Sequence, residues 1–576
     1  MRPLSTKNAE EKSIKIMAAS SPRSPESSWW IPNESPPLRF PLGLEEALRR
    51  PAHPFSIVRG RNGEPLIGWG GMMCRGASAP PSSSAYPLLA DVHALHPAEL
   101  GAATFRARHG LKYAYCAGAM AKGIASTDLV QAMAREGMMG VFGAAGLDLD
   151  EVHRAIRVLR ERLGTRPHGF NLIHSPGEPA LEDALVDLYV REGVGRVSAS
   201  AYLKLTPALV RYRLHGIHVD PRGRVVVPNR VIAKVSRVEV ASRFLAPPPE
   251  ELLRVLVEQG HLTAEQARCA REVPVAEDLI AEADSGGHTD NRSPVVLLPI
   301  LMHARDLACA GHRYRMPIHV GLAGGLSTPI SIAAAFAMGA DFVVTGSINQ
   351  ACVEAGTSAI VRRMLAEAQQ ADVMMAPAAD MFELGVQVQV LKRGTMFGLK
   401  ARRLYELYRR HESLEDIPPP ERSMLERDYF RSTLEDAWER TRAFLEARDP
   451  ARIERASRDP KYRMALVFRS YLGQASGWAN VGDPSRRLDY QIWCGPAMGA
   501  FNQWVKGSFL ERPDAREAAV VALNLMYGAS RGIRLNRLAH QGIDIPLEMR
   551  DFRPLPRDVL LEILDSAGIA KKGEQR

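Results

Sequence analysis

Ile318-His319-Val320-Gly321-Leu322-Ala323-Gly324-Gly325-Leu326-Ser327-Thr328-Pro329 opens a stretch that continues to Asp341-Phe342-Val343-Val344-Thr345-Gly346-Ser347. An apolar run ending in glycines predicts a buried strand followed by a turn where the backbone comes close to something. Thr328 and Pro329 form an N-cap and first-turn pair, because the N–H that proline lacks is not needed there. Ile330, Ala333, Ala334, Ala337 and Met338 then repeat at helical spacing, and Gly339 closes the helix. A second strand, 342–345, ends in Gly346-Ser347. A single glycine turn reads as a tight connection and nothing more. Two in tandem, each leading into a helix N-terminus with its free N–H groups and positive dipole end, point to a phosphate. In a (β/α)8 barrel the loops after strands seven and eight make that cradle.

The rest of the chain fits that frame. Strands are expected at 113–117, 138–142, 169–173, 196–199, 231–235 and 279–283, each followed by a helical pattern, with a helical insertion at about 236–275. With the two strands above they number eight, which predicts an α/β fold of the TIM type; an open doubly wound sheet shows the same alternation. Residues 1–40, rich in Ser, Pro and charge, read as a disordered tail, and their start lacks the apolar core of a signal peptide. Residues 41–110 read as an N-terminal subdomain, 111–375 as the barrel, and 376–576 as a mainly helical C-terminal domain.

Composition bounds the function. At 576 residues, 46% apolar and 24% charged, the chain is long enough for two or three globular domains. A net charge of +9 suits an acidic partner or phosphorylated ligand, but no nucleic-acid-binding signature accompanies it. Six cysteines without C-x-x-C pairs favour a reducing cytoplasm over a disulfide framework. No uninterrupted apolar run reaches transmembrane length.

Chemistry in a barrel sits where strands end. The sixth ends Glu282-Ala283-Asp284-Ser285-Gly286-Gly287-His288, where two glycines let backbone approach a flat ligand and aim the imidazole inward. His288 is the candidate acid or base; the alternative is a loop histidine satisfied by Asp284 or Asp290. Asn171, ending strand three, offers a neutral group to an amide-like edge. Lys234, near the end of strand five, offers a cation for negative charge on a reduced ring, or is a surface lysine. Gly528-Ala529-Ser530-Arg531-Gly532 has esterase spacing but a helical context. The pairs His93/His96 and His215/His218 lack a third ligand, so no metal is expected.

Several of these strings resemble a known family. Ala117-Gly118-Ala119-Met120-Ala121, Gly137-Met138-Met139-Gly140, Phe170-Asn171-Leu172, Gly286-Gly287-His288, Ala323-Gly324-Gly325 and Thr345-Gly346-Ser347 resemble, in order, nitronate monooxygenases and FMN-dependent enoyl reductases. Residues 283–292, 375–385 (Met375-Ala376-Pro377-Ala378-Ala379-Asp380 onward) and 489–499 (Asp489-Tyr490-Gln491-Ile492-Trp493-Cys494-Gly495-Pro496 onward) narrow this to the PfaD family. Its members are trans-acting enoyl reductases of polyunsaturated fatty acid and polyketide synthases. The resemblance implies an FMN barrel that takes hydride from NADPH or NADH and passes it to a trans-2-enoyl thioester on an acyl carrier protein, with His288 beside the substrate. It implies cofactor contacts at Gly118, Ala119, Met120, Asn171, Lys234, Asp284, Gly286, Gly287, Ala323, Gly324, Gly325, Thr345, Gly346 and Ser347. It leaves open a homodimer, a nitronate monooxygenase-like oxidase and a non-catalytic synthase scaffold. Lys392, Arg393, Lys400, Arg402 and Arg403 are expected to meet an acidic carrier protein or to be a solvated helix face.

Overall fold

The computed structural model describes residues 28–565 apart from 34, 78, 176, 177 and 447. They form two compact units. One takes the described residues up to Pro97 with Tyr527–Phe552 and 557–565; the other takes Ala98–Met526 and Arg553–Pro556.

The first unit is an antiparallel six-stranded sheet in the order 38–39, 65–69, 55–59, 86–92, 29–31, 72–74. Its core joins Leu44, Leu48, Phe55, Ile57 and Ile67 to Leu535 and Leu538. Arg534 is buried there over the Phe55 ring and donates to the carbonyls of Ala47, Arg50 and His53, so its charge is met by carbonyls at the end of helix Leu42–Leu48 and just beyond it instead of by solvent. Two expectations change. Residues 1–27 lie outside the described residues, but Trp29–Ile31 is a strand, with Trp30 fully buried against Gly68 and Gly71. Tyr527–Phe552 and 557–565 join this unit and not the helical C-terminal domain.

The second unit contains the barrel. Its strands are Tyr115–Ala117, Met139–Phe142, His168–Ile173, Arg196–Ser200, Arg230–Val235, Asp278–Glu282, His319–Ala323 and Val343–Thr345. All are parallel, each pairs with the next in sequence, and the eighth pairs with the first. Closure excludes the open doubly wound sheet. Helices Val238–Leu245, Glu250–Glu258 and Ala264–Ala270 fill the expected insertion. At the N-terminal ends of the strands, Phe105 stacks on Phe342 and buried Asp278 accepts from His109 Nε2 (2.8 Å) and His319 Nδ1 (2.7 Å). Burial alone would raise the Asp278 pKa, but those two hydrogen bonds and Arg108 pull it well below the usual carboxylate range. This face reads as stability, not chemistry.

Helix Pro294–His312, between strands six and seven, is by length and composition apolar enough to cross a membrane, although His303, Arg305 and Asp306 interrupt its apolar run. Here it buries Leu297, Leu298 and Leu301 toward those strands and leaves Val295, Val296, Ile300 and Leu307 exposed.

Beyond the barrel, helices Phe397–Arg410, Leu434–Glu446 and Pro460–Val481 pack around Phe382, Phe397, Leu404, Phe468 and Tyr471. The expected boundary at 376 falls inside a strand. Val373–Pro377 and Gln387–Leu391 pair antiparallel, and the two-residue strand Gly287–His288 adds to the outer edge of Gln387–Leu391. The histidine turn of the barrel is thus an edge strand of a sheet built more than eighty residues later.

Candidate active site

Strand ends one, three, five, six, seven and eight share the C-terminal rim because all eight strands run parallel. At the seventh, Gly324 and Gly325 have φ of +88° and +74°, which L side chains rarely adopt. A Cβ on Gly324 would meet the Ala283 carbonyl carbon at 2.6 Å, whereas one on Gly325 meets nothing within 4 Å. The first glycine seats the turn on strand six; the second faces open space. Thr328 caps helix Pro329–Ala337 through Ser331, as its position predicts. A Cβ on Gly346 likewise meets nothing, and Ser347 starts a short helix beside it. Thr345 is committed elsewhere: its Oγ1 lies 2.6 Å from Tyr115 Oη and accepts from Asn349 Nδ2 at 3.0 Å. Gly118 closes the ring by donating its N–H to the Thr345 carbonyl at 2.9 Å. Ala119 and Met120 follow it at the rim; the Met120 carbonyl accepts from Ala125 N–H and occupies the space a Gly143 Cβ would need.

Asn171 is buried and donates its amide to Ser198 O and Ser200 Oγ, both at 3.2 Å, so what it can offer a ligand is its carbonyl oxygen. Lys234 Nζ lies 2.5 Å from Glu282 Oε1, a partner on the adjoining strand that balances its charge.

The histidine turn is gripped from outside the barrel. Gln389 Nε2 donates to Asp284 Oδ1 and to the Ser285 carbonyl, both at 2.8 Å. A Cβ on Gly286 would stand 2.9–3.0 Å from the Cys494 backbone, so only glycine fits. Gly287, at φ +82°, lies against the Trp493 ring. The next residue along that segment, Gly495, donates its N–H to Ser347 Oγ at 3.1 Å. The segment 493–495 therefore touches both the histidine turn and the start of the strand-eight cradle. His288 Nε2 stands 3.1 Å from Asp380 Oδ1, with both side chains partly exposed (36% and 50%). Burial alone would lower the His288 pKa, but the Asp380 hydrogen bond and charge, helped by Glu282, outweigh it and Lys234, and the net shift is upward.

The structure brings the expected residues to one rim. It adds four that sequence reasoning passes over as site residues: Glu282, Asp380, Gln389 and Gly495. Glu182 is a fifth: buried, it accepts from His174 (2.9 Å) and Tyr202 (3.0 Å) at the ends of strands three and four. None of these carries a local pattern; each matters through a partner far along the chain. The basic stretch changes character. Lys400 pairs with buried Asp489 at 2.5 Å, Arg403 with Glu421 and Glu406, and Arg402 donates to the Met375 carbonyl. Most of that cluster holds the helical core together and is not free for a partner.

All six cysteines are free, and no metal-binding group is present among the described residues. Gly528–Gly532 lies inside helix Ala518–His540, so the esterase spacing is chance.

Residues 105–397 match the model of the nitronate monooxygenase family, and 411–490 match the inserted helical domain of acyl-carrier-protein S-malonyltransferases. A polypeptide of the polyunsaturated fatty acid synthase of Thraustochytrium sp. is 46% identical over 462 residues, 79% of this chain and 31% of that protein. Polyketide biosynthesis protein PksE of Bacillus subtilis is 45% identical over 428 residues, 74% of this chain and 55% of PksE. The chain thus spans about a third of one curated relative and about half of the other. The crystal structure of the enoyl reductase domain of MlnA, from the macrolactin cluster of Bacillus amyloliquefaciens, superposes with a TM-score of 0.73 at 39% identity. That match covers 77% of this chain and 99% of the domain.

Proposed function

The chain belongs to the nitronate monooxygenase family, in its PfaD-type branch with the MlnA enoyl reductase domain, and from that premise we propose that it reduces trans-2-enoyl thioesters carried on an acyl carrier protein. The cofactor is FMN and the hydride donor NADPH or NADH. FMN, when bound, supplies hydride transfer from the nicotinamide to the β-carbon of the enoyl group.

The residues fit a flavin phosphate. Gly325 and Gly346 leave open space at adjoining rims, and the buried hydroxyls of Ser285 and Ser327 have no partner among the described residues. Backbone N–H groups at Gly324, Gly325, Gly346 and Ser347 would hold the phosphate. The Asn171 carbonyl oxygen and the Gly286–Gly287 backbone would face the ring edge, and Lys234, balanced by Glu282, would supply positive potential nearby. His288 would give a proton at the α-carbon or hold the thioester carbonyl; the upward shift of its pKa, set by Asp380, favours the protonated form that a donor requires.

One observation carries this reading: Cys494 and Gly495 link Gly286 to Ser347, so the cradle and the histidine line one continuous rim. The partner class is supported by the relatives, one named as a polyunsaturated fatty acid synthase subunit and one as a polyketide biosynthesis protein. The free cysteines support a reducing, cytoplasmic setting. The test is steady-state NADPH consumption by the flavin-loaded protein. Consumption that requires an enoyl thioester, with no oxygen uptake on nitronates, supports the proposal; the reverse pattern favours nitronate oxidation, and a protein that never takes up flavin favours a scaffold.

A further inference from the structure

We propose that Asp380, from the loop between strands Val373–Pro377 and Gln387–Leu391 outside the barrel, is the positioning residue for His288, so that the C-terminal region completes the barrel's active site instead of merely extending it. The inference rests on the role given to His288 above. The barrel's own loop holds the approach to the Gly286-Gly287-His288 turn, with Asp284 N–H donating to the Arg292 carbonyl and Asn291 Nδ2 to Asp284 Oδ1. Three further contacts come from beyond residue 372. Gln387–Leu391 pairs with Gly287–His288, Gln389 holds Asp284 and Ser285, and the Cys494 backbone closes on Gly286. Asp380 adds the fourth, on the imidazole itself.

The loop that carries Asp380 is in turn anchored. Arg469 Nη1 bonds Glu383 Oε1 at 3.0 Å, and Arg469 Nη2 reaches the Asp380 carbonyl at 3.5 Å, tying the loop to helix Pro460–Val481. Burial alone would raise the Asp380 pKa, but His288 and then Arg469 lower it, so the carboxylate stays charged where the imidazolium needs it. With Nε2 turned to Asp380, Nδ1 is the nitrogen left to face substrate. The charged groups facing His288 are Asp380 and Glu282, which raise its pKa, and Lys234, which lowers it. Asp380 is the only one of these that bonds the ring.

The sign of the effect follows. A donor with a raised pKa is fully protonated below that pKa and loses activity as pH rises through it. Removing the Asp380 charge lowers the pKa, so activity is lost from a lower pH upward, while the acid side changes little. For Asp380→Asn in the flavin-loaded enzyme we expect kcat for a short enoyl thioester to fall by up to about tenfold on the alkaline side. Flavin content and the rate of flavin reduction by NADPH should hold, and Asp380→Glu should restore part of the alkaline limb. A uniform loss at every pH, or an unshifted limb, overturns the proposal. The pair is also measured without turnover, by titrating the His288 ring with ¹⁵N-histidine NMR, its signal identified by its loss in His288→Gln. A midpoint that falls in Asp380→Asn supports the pairing, and an unmoved midpoint overturns it. If the parent enzyme reduces no enoyl thioester, the functional reading fails on that result, and the titration still decides the pairing.

Discussion

Two glycine turns meet at the barrel rim, and they are stabilised in opposite ways. The Gly324-Gly325 turn is built by its own neighbours: strand seven before it, the Thr328 cap after it, and strand six beneath it. The Gly286-Gly287-His288 turn has hydrogen bonds within its own loop and is clamped in addition by residues more than eighty positions away, Gln389, Asp380 and Cys494. In the function proposed above, the first would bind by shape, with backbone N–H groups preset by φ angles. The second would have to aim a side chain, which two glycines do not do unaided. On that proposal, a rigid local cradle and a remotely clamped histidine would divide the work of holding a cofactor from that of acting on a substrate.

That division is open to mutation. Gly325→Asp should have the largest effect, because it puts a Cβ at φ +74° and a negative charge into the open cradle. Flavin content measured by absorbance should fall to background, and all turnover with it; retained flavin would move the cradle elsewhere. Gly286→Leu should come next and strike the other turn, since its side chain collides with the Cys494 backbone. Enoyl reduction should fall by roughly 10²-fold through loss of the placed histidine, with flavin content reduced far less. Equal losses of both would mean the two turns are one unit.

Gln389→Leu should be milder. It takes this donor from the Ser285 carbonyl and one of two donors from the Asp284 carboxylate, which keeps Asn291, at a cost of about 1–3 kcal/mol, seen as a lower unfolding midpoint in urea. The smallest effect is expected from Arg402→Glu, which removes one exposed bond to a carbonyl. Turnover of a carrier-bound and of a soluble enoyl thioester should change alike and by no more than about twofold, in keeping with the small worth of exposed ionic contacts. A selective loss on the carrier-bound substrate would restore the basic stretch as a docking surface.

The contrast also explains what is legible in the sequence. Strands of a closed parallel barrel are buried on both faces, so they read as short continuous apolar runs, and all eight fall within a few residues of their expected places. The cradle is visible for the same reason: cap, proline and glycines are consecutive. His288 can be singled out by its glycines, but its partner Asp380 cannot, because nothing local marks an aspartate that pairs across the chain. The small sheet hides in the same way, its edge being only two residues of strand. Trp29–Ile31 is lost against Ser- and Pro-rich flanks, although burying Trp30 outweighs that local bias. Lys400 and Arg403 look like free cations because their carboxylate partners are separated from them in sequence.

The central claim is that His288 acts on the substrate and not on the flavin. Rapid mixing of flavin-loaded parent and His288→Ala proteins tests it most directly, following flavin absorbance first with NADPH and then with an enoyl thioester. The expected result is the same rate of bleaching by NADPH in both proteins and recolouring by the thioester about 10²-fold or more slower in the variant. Equal recolouring rates would contradict the claim and leave His288 a structural residue of the clamped turn.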